Sequence, residues 1–148
     1  MALDYSLRPA SKDETEALYA IHRAAMEDYV AQTWGSWDDA WQREYFTSHW
    51  PDVRLAIEAS GELAGFVDLD EQGETIHIGN IELRPASQRN GIGSAILKAV
   101  QQRAEIKSVP VTLQVLKVNP ARALYERLGF EHTGETETHH QMAWRPNQ

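Results

Sequence analysis

Residues 81 to 94 constrain this chain more than any other stretch. Ile81-Glu82-Leu83 reads as a strand end that Arg84-Pro85 stops, and Gln88-Arg89-Asn90-Gly91-Ile92-Gly93-Ser94 then opens directly into a helix. Ile92, Ile96, Leu97, Val100 and Ala104 repeat at helical spacing to about Ile106. The first amides of such a helix have no internal partners, and with the helix dipole they form an anion site. Gly91 and Gly93 carry no Cβ, so the backbone can come close to a diphosphate. Arg89 adds a cation at the rim. A Walker loop needs Gly-Lys-Ser/Thr, whereas Ser94-Ala95 follow Gly93 here. A dinucleotide fingerprint needs a third small residue and a first strand near the start of a doubly wound sheet. Two glycines at a helix start, taken alone, are equally a structural device.

The rest of the chain supplies the context. Leu3 to Arg8 alternates, with Leu3, Tyr5 and Leu7 on one face, and predicts a strand ended by Pro9. Ser11 with Glu14 has capping-box spacing and predicts a helix to about Ala31, with Leu18, Ile21, Ala25 and Met26 as its apolar stripe. After Gly35, Ser36 reads as the cap of a second helix to about His49, with Asp38 and Asp39 in its first turn. Trp34, Trp37, Trp41, Tyr45, Phe46 and Trp50 make that stretch aromatic, and several of the tryptophans are expected to fill core.

Val53–Ala59 and Leu63–Leu69 read as strands joined at Ser60-Gly61-Glu62. Glu71-Gln72-Gly73-Glu74 is the next turn, and Thr75–Leu83 follows as a strand in which Gly79-Asn80 reads as a bulge. Val111–Leu116 is a further strand. Asn119-Pro120 opens a helix that Gly129 stops, and Phe130–Thr133 and Thr138–Trp144 are two final strands. The order β-α-α-β-β-β-α-β-α-β-β predicts an α/β chain with a mixed sheet and helices on both faces. With 148 residues and no linker or repeat, one domain over residues 1–148 is expected.

Composition narrows the partners. There are 22 acidic and 14 basic side chains, a formal charge of -8, and no basic stripe for nucleic acid. That charge also disfavours anionic membranes and suits a cationic substrate. Cysteine is absent, which excludes disulfides, thiolate zinc sites and a cysteine nucleophile. Met-Ala-Leu-Asp-Tyr lacks the features of a signal peptide and no apolar run reaches membrane-spanning length, so cytoplasmic residence is the default expectation.

Leu83-Arg84-Pro85 followed by Gln88-x-x-Gly91-x-Gly93 resembles the acetyl-CoA loop of the GNAT superfamily of N-acetyltransferases. Asn119-Pro120-Ala121-Arg122-Ala123-Leu124-Tyr125-Glu126-Arg127-Leu128-Gly129-Phe130 is similar to the helix that follows that loop in the family. The resemblance is strong over about residues 75 to 144 and rests on element order elsewhere. It implies a mostly antiparallel sheet with a splayed parallel pair at the CoA site, and acetyl-CoA as acetyl donor. Ile81, Glu82 and Leu83 would bond pantetheine through their backbones. Gln88, Arg89, Asn90, Gly91, Ile92, Gly93 and Ser94 would contact the pyrophosphate. Asn119 would border the cofactor near its thioester or pantetheine arm, and Ala121 and Arg122 would lie by the CoA tail.

Tyr125 matches the family's general acid, which protonates the departing thiolate. A glutamate or histidine on the strand before the loop often serves as base. His77 holds that position, Glu82 is its rival, and water remains a third option. Without cysteine, direct transfer to the amine in a ternary complex is the better mechanism, although a serine intermediate stays open. No metal is implied, since His139 and His140 are adjacent on a strand and point to opposite faces.

In the family the acceptor groove is lined by the first two helices, their connecting loop and the last strand pair. Here those parts hold Tyr29, Trp34, Trp37, Asp38, Asp39, Trp41 and Glu44, then Glu135, Glu137, His139 and His140. Aromatics beside carboxylates suit a cationic amine, whether a small molecule, an amino acid or a protein amine. Two rivals remain at this stage: a CoA-binding sensor without turnover, and an interaction domain that binds no CoA. Dimers are common in the family, so a homodimer is also open.

Overall fold

The structure is a computed structural model and describes residues 4–71 and 73–146. Leu3 of the expected first strand and Gln72 of the expected turn lie outside the described residues. The elements run β1 (Tyr5–Pro9), a 3₁₀ turn (Lys12–Glu14), α1 (Thr15–Trp34), α2 (Asp39–Ser48), β2 (Val53–Ala59), β3 (Glu62–Asp70) and β4 (Ile76–Leu83). A second 3₁₀ turn (Pro85–Ser87) leads to α3 (Ile92–Lys107), β5 (Val111–Leu116), α4 (Arg122–Arg127), β6 (Glu131–Glu135) and β7 (His139–Trp144). The strands form one sheet in the order β1-β2-β3-β4-β5-β7-β6, antiparallel except for the β4–β5 pair.

Two apolar layers flank this sheet. On one side Ile57, Val67, Ile78 and Leu113 pack with Ile92, Ile96, Leu97 and Val100 of α3 and with Tyr125 of α4. On the other, Phe66 packs under Leu18, Tyr19 and Ile21 of α1 and Phe46 of α2. Successive side chains of a strand point to opposite faces, which is why Phe66 and Val67 serve different layers.

Several local expectations hold, with adjusted boundaries. Ser11 and Glu14 do form a capping box, but the first turn is 3₁₀ and α1 runs on past Ala31 until Gly35 takes φ 96°. Ser36 does not cap α2. Asp38 does, accepting from the Trp41 amide at 3.1 Å, because an ionised carboxylate meets the positive helix end better than a hydroxyl. Ser60 and Gly61, both at positive φ, form the two-residue hairpin between β2 and β3. Gly79 is the extra residue of a bulge, since Asp68 pairs with Asn80 and Leu69 with Ile78. The expectation that several tryptophans fill core holds for Trp37 and Trp50, which pack against the α1–α2 layer, whereas Trp34 and Trp41 are 56% and 57% exposed.

Gly65 sets how closely β3 and β4 approach. A Cβ there would sit 2.1 Å from the Glu82 carbonyl oxygen and 3.0 Å from the Leu83 Cα, both backbone atoms that cannot rotate away. Gly65→Ala is expected to destabilise the fold by about 1–3 kcal/mol, the usual cost of overpacking. A urea midpoint equal to that of the unsubstituted chain would contradict the close approach.

Candidate active site

The parallel pair builds the site. β4 and β5 are in register only over Ile76–Ile78 and Val111–Leu113, and beyond those residues the strands share no pairing. The gap is part of a cleft of about 1190 Å³, bordered by Ile81, Glu82, Gln114, Val115, Asn119 and Tyr125. Backbone groups left without a strand partner along such a gap suit an extended arm that carries amides of its own.

β4 ends in the predicted anion loop. Gln88 Nε2 donates to the Leu83 carbonyl at 2.8 Å, so this side chain folds the loop onto the strand end. Arg89 at φ 64° and Gly91 at φ 88° turn the chain into α3. Gly91 is the N-cap and has no side chain to offer. Asn90 Oδ1 takes the Ile92 amide at 3.3 Å, and no side chain among the described residues accepts from the Gly93 or Ser94 amides. A helix start left open in this way fits a diphosphate.

On the facing helix, Asn119 Oδ1 accepts from the Ala121 amide at 2.9 Å, so it caps the turn that leads into α4. The helix itself nonetheless spans only Arg122–Arg127, with Ala121 as its N-cap. Ala121 is half-buried, and the Arg122 guanidinium contacts Glu126 and donates to His140 Nε2 at 3.0 Å. Tyr125 is buried against Phe130, with ring centroids 5.9 Å apart, and its hydroxyl has no hydrogen bond to another described residue. Burial first, and the nearby charge of Glu82 second, push its phenol up to about 12, so it holds its proton at neutral pH.

The two base candidates occupy different settings. His77 lies where β4 and β5 are still paired, with Nδ1 2.8 Å from Thr112 Oγ1. Glu82 lies further along, buried, with both carboxylate oxygens 2.6 and 2.7 Å from Nδ1 of His22 on α1. Desolvation raises the Glu82 carboxyl above its ordinary range, and His22 opposes that shift.

His22 was not among the residues expected from sequence. Its signal was nonetheless present: it lies next to Ile21 and one helical turn from Leu18 and Tyr19, a polar side chain beside the buried stripe of α1. Arg54 was also missed. It forms a buried ion pair with Asp68 that floors the cleft, and nothing local in either strand indicates the pairing.

Of the expected acceptor residues, Trp34, Asp38, Trp41 and His139 line the cleft, and the Trp34 and His139 rings lie 6.2 Å apart across it. Tyr29, Trp37, Asp39, Glu44, Glu135, Glu137 and His140 are not part of its lining. Trp37 and Asp39 instead hold the Tyr19 hydroxyl, and Glu135 pairs with Lys117 at 2.7 Å. Tyr45 and His49, unanticipated, join Trp41 in a stacked row along α2, with centroids 5.2 and 3.9 Å apart. His140 meets His132 on β6 rather than its neighbour His139. With Glu135 these two histidines bring ligand atoms within 4.8 Å, but Arg122 and Lys117 already bond His140 and Glu135. No helix among the described residues is long and apolar enough to cross a membrane.

Comparison with known proteins agrees with this geometry. The acetyltransferase (GNAT) family matches over residues 16–130. The fold is similar to that of PaiA N-acetyltransferase from Thermoplasma acidophilum, solved in complex with coenzyme A. That match has a TM-score of 0.80 and 19% identity and covers 97% of this chain and 99% of that one. It is also similar to the ribosomal-protein-S18-alanine N-acetyltransferase of Escherichia coli, with a TM-score of 0.74, 22% identity and 97% and 95% coverage. A third likeness is to the Salmonella typhimurium acetyltransferase that modifies the N-terminal serine of ribosomal protein L7/L12. There the TM-score is 0.73, the identity 15% and the coverage 99% and 97%.

Proposed function

Because the chain belongs to the acetyltransferase (GNAT) family, we propose that it transfers acetyl from acetyl-CoA to a primary amine by direct attack, as one domain over residues 1–148. The observation that carries this reading is the parting of β4 from β5 beside Tyr125, with an open helix start at the end of β4. In this reading the unpaired edge of Ile81–Leu83 holds pantetheine, and residues 88–94 hold the diphosphate. Asn119 borders the thioester end, and Ala121 and Arg122 lie along the CoA tail. Tyr125 gives its proton to the departing sulfur. Direct attack is favoured because the chain has no cysteine to carry the acetyl group.

The acceptor enters from the side of α1 and α2. There Trp34, Trp41 and Tyr45 lie in one cleft with Asp38 and Asp70, a setting for a cationic ammonium. Two of the similar enzymes are named for amino groups of ribosomal proteins, which keeps a peptide amine beside small molecules and amino acids as acceptor. A thiol-release screen of acetyl-CoA against amines and peptides, paired with calorimetry, tests the proposal. Absence of acetyl-CoA binding would remove it. Binding without transfer to any amine would favour a sensor.

Gly93→Asp tests the loop separately. A Cβ at Gly93 meets only Leu83 Cδ1, at 4.0 Å, and an acidic residue in a first helical turn is favourable to the helix. The same charge repels a diphosphate. Acetyl-CoA affinity is expected to fall by about tenfold or more, on the order of 1.4 kcal/mol. Thermal stability should stay level or rise slightly. Unchanged calorimetric affinity would place the diphosphate elsewhere.

A further inference from the structure

Glu82 was the rival of His77 for the role of base, yet both of its oxygens are directed at one ring nitrogen. His22 Nδ1 lies 2.6 and 2.7 Å from Oε1 and Oε2, and the two side chains are 15% and 4% exposed. A carboxylate in that position holds the proton of neutral imidazole on Nδ1 and leaves the lone pair on Nε2. Nε2 has no hydrogen bond to another described residue, and the side chain lines the same cleft as Tyr125 and Asn119. The ring is also fixed in place. Phe46 stacks on it at 5.2 Å and 24°, and Trp37, Tyr19 and Phe66 close the other sides between 5.6 and 6.4 Å. Packing alone gives no reason for this arrangement, since burying a carboxylate beside imidazole costs more than burying apolar groups of the same size.

We propose that His22 Nε2 accepts the proton of the acceptor amine and that Glu82 is its positioning residue. The proposal rests on the amine-acetylation reading above. An ammonium acceptor must lose two protons to become an amide. His22 takes one, becomes imidazolium against the Glu82 carboxylate, and releases that proton to solvent. The neutral amine forms the N–C bond as the C–S bond breaks, and Tyr125 protonates the leaving sulfur. The amine's second proton then returns to the Tyr125 oxygen. Atoms and charge balance with one proton released per turnover.

The surroundings suit a proton that comes and goes. Beside Glu82 on β4, the charged groups acting on the pair are Asp68 on β3 and Arg54 on β2, bound to each other and of opposite sign. The phenols of Tyr19 on α1 and Tyr125 on α4 are both raised by burial and stay neutral. The Glu82 side chain is therefore the only ionisable group hydrogen-bonded to the ring among the described residues.

The test uses the full chain, acetyl-CoA and an amine that the unsubstituted protein acetylates, with kcat/KM followed against pH. His22→Gln should lose about 10²-fold near neutral pH and lose the acidic limb, with acetyl-CoA affinity unchanged. Glu82→Gln keeps the shape of the side chain and removes its charge beside His22 Nδ1, so its acidic limb should shift from that of the unsubstituted protein. A merely structural Glu82 would lower the active fraction without moving the limb. In the unsubstituted protein, ¹⁵N–¹H correlation should find neutral His22 protonated on Nδ1, a readout independent of any variant's folding. The opposite tautomer would overturn the proposal. So would a His22→Gln enzyme that keeps the original limb and rate, or a His77→Ala enzyme that alone loses both. If the unsubstituted chain binds acetyl-CoA yet acetylates no amine, the reading of the site fails, and the dyad with it.

Discussion

Tyr125→Phe is expected to lower kcat by about 10²-fold or more, within the range that a positioned proton donor supplies. Acetyl-CoA affinity should stay within about twofold, because the substitution keeps the ring and removes one hydroxyl that has no partner to strand. Three features of the structure produce this separation. The ring is anchored in the core against Phe130, so phenylalanine occupies the same space. The hydroxyl borders the cleft where β4 and β5 have parted, at the expected thioester end. Burial holds the phenol at about 12, so the donor is fully protonated at the pH of reaction and able to neutralise a thiolate. Steady-state kinetics with calorimetric titration of acetyl-CoA checks both halves. A full kcat would remove Tyr125 from the chemistry, and a large affinity loss would make it a binding residue.

The largest effect on stability is expected at the floor of the cleft. Arg54 Nε and Nη2 reach the two oxygens of Asp68 at 2.6 and 2.8 Å, and the side chains are 2% and 3% exposed. Phe46, Trp50 and Phe66 surround the guanidinium within 4.3 to 5.1 Å, and Nη1 has no hydrogen-bond partner. Arg54→Leu leaves a buried carboxylate with Asn80 as its remaining side-chain partner, and should cost about 3–5 kcal/mol in urea unfolding. Replacing both partners, Arg54→Leu with Asp68→Leu, should recover most of that loss, because the desolvation of two charges disappears with the charges. A single variant that loses under about 1 kcal/mol would mean that water reaches the pair and screens it.

The order of elements and the anion loop were legible because their signals are local. β-type runs bounded by turn residues predict β2, β3 and β5 within a residue or two, and Gly91 marks the start of α3 because its backbone needs φ 88°. Boundaries moved where two local signals competed. Ser36 and Asp38 both had the side chain of a cap, and the carboxylate prevailed. In the aromatic stretch, Trp34 and Trp41 departed from expectation for a different reason. Burial of a tryptophan depends on whether a sheet face lies opposite it, and the extent of that face is not written in the helix that carries it.

The same distinction separates the two halves of the site. The strand end at Leu83, the glycine loop and the Asn119–Tyr125 helix are contiguous segments whose backbone conformations follow from their own residues. The sequence by itself therefore determined which ends of which elements build the proposed donor side. His22 and Glu82 are sixty positions apart, Arg54 and Asp68 fourteen, and each pair exists only because α1 crosses β4 or β2 lies beside β3. Only the tertiary structure decided that Glu82 is held by a histidine and that one ring nitrogen remains open to the cleft. A buried charge is stable or costly according to the partner that folding brings to it, and that partner cannot be read from its neighbours in the chain.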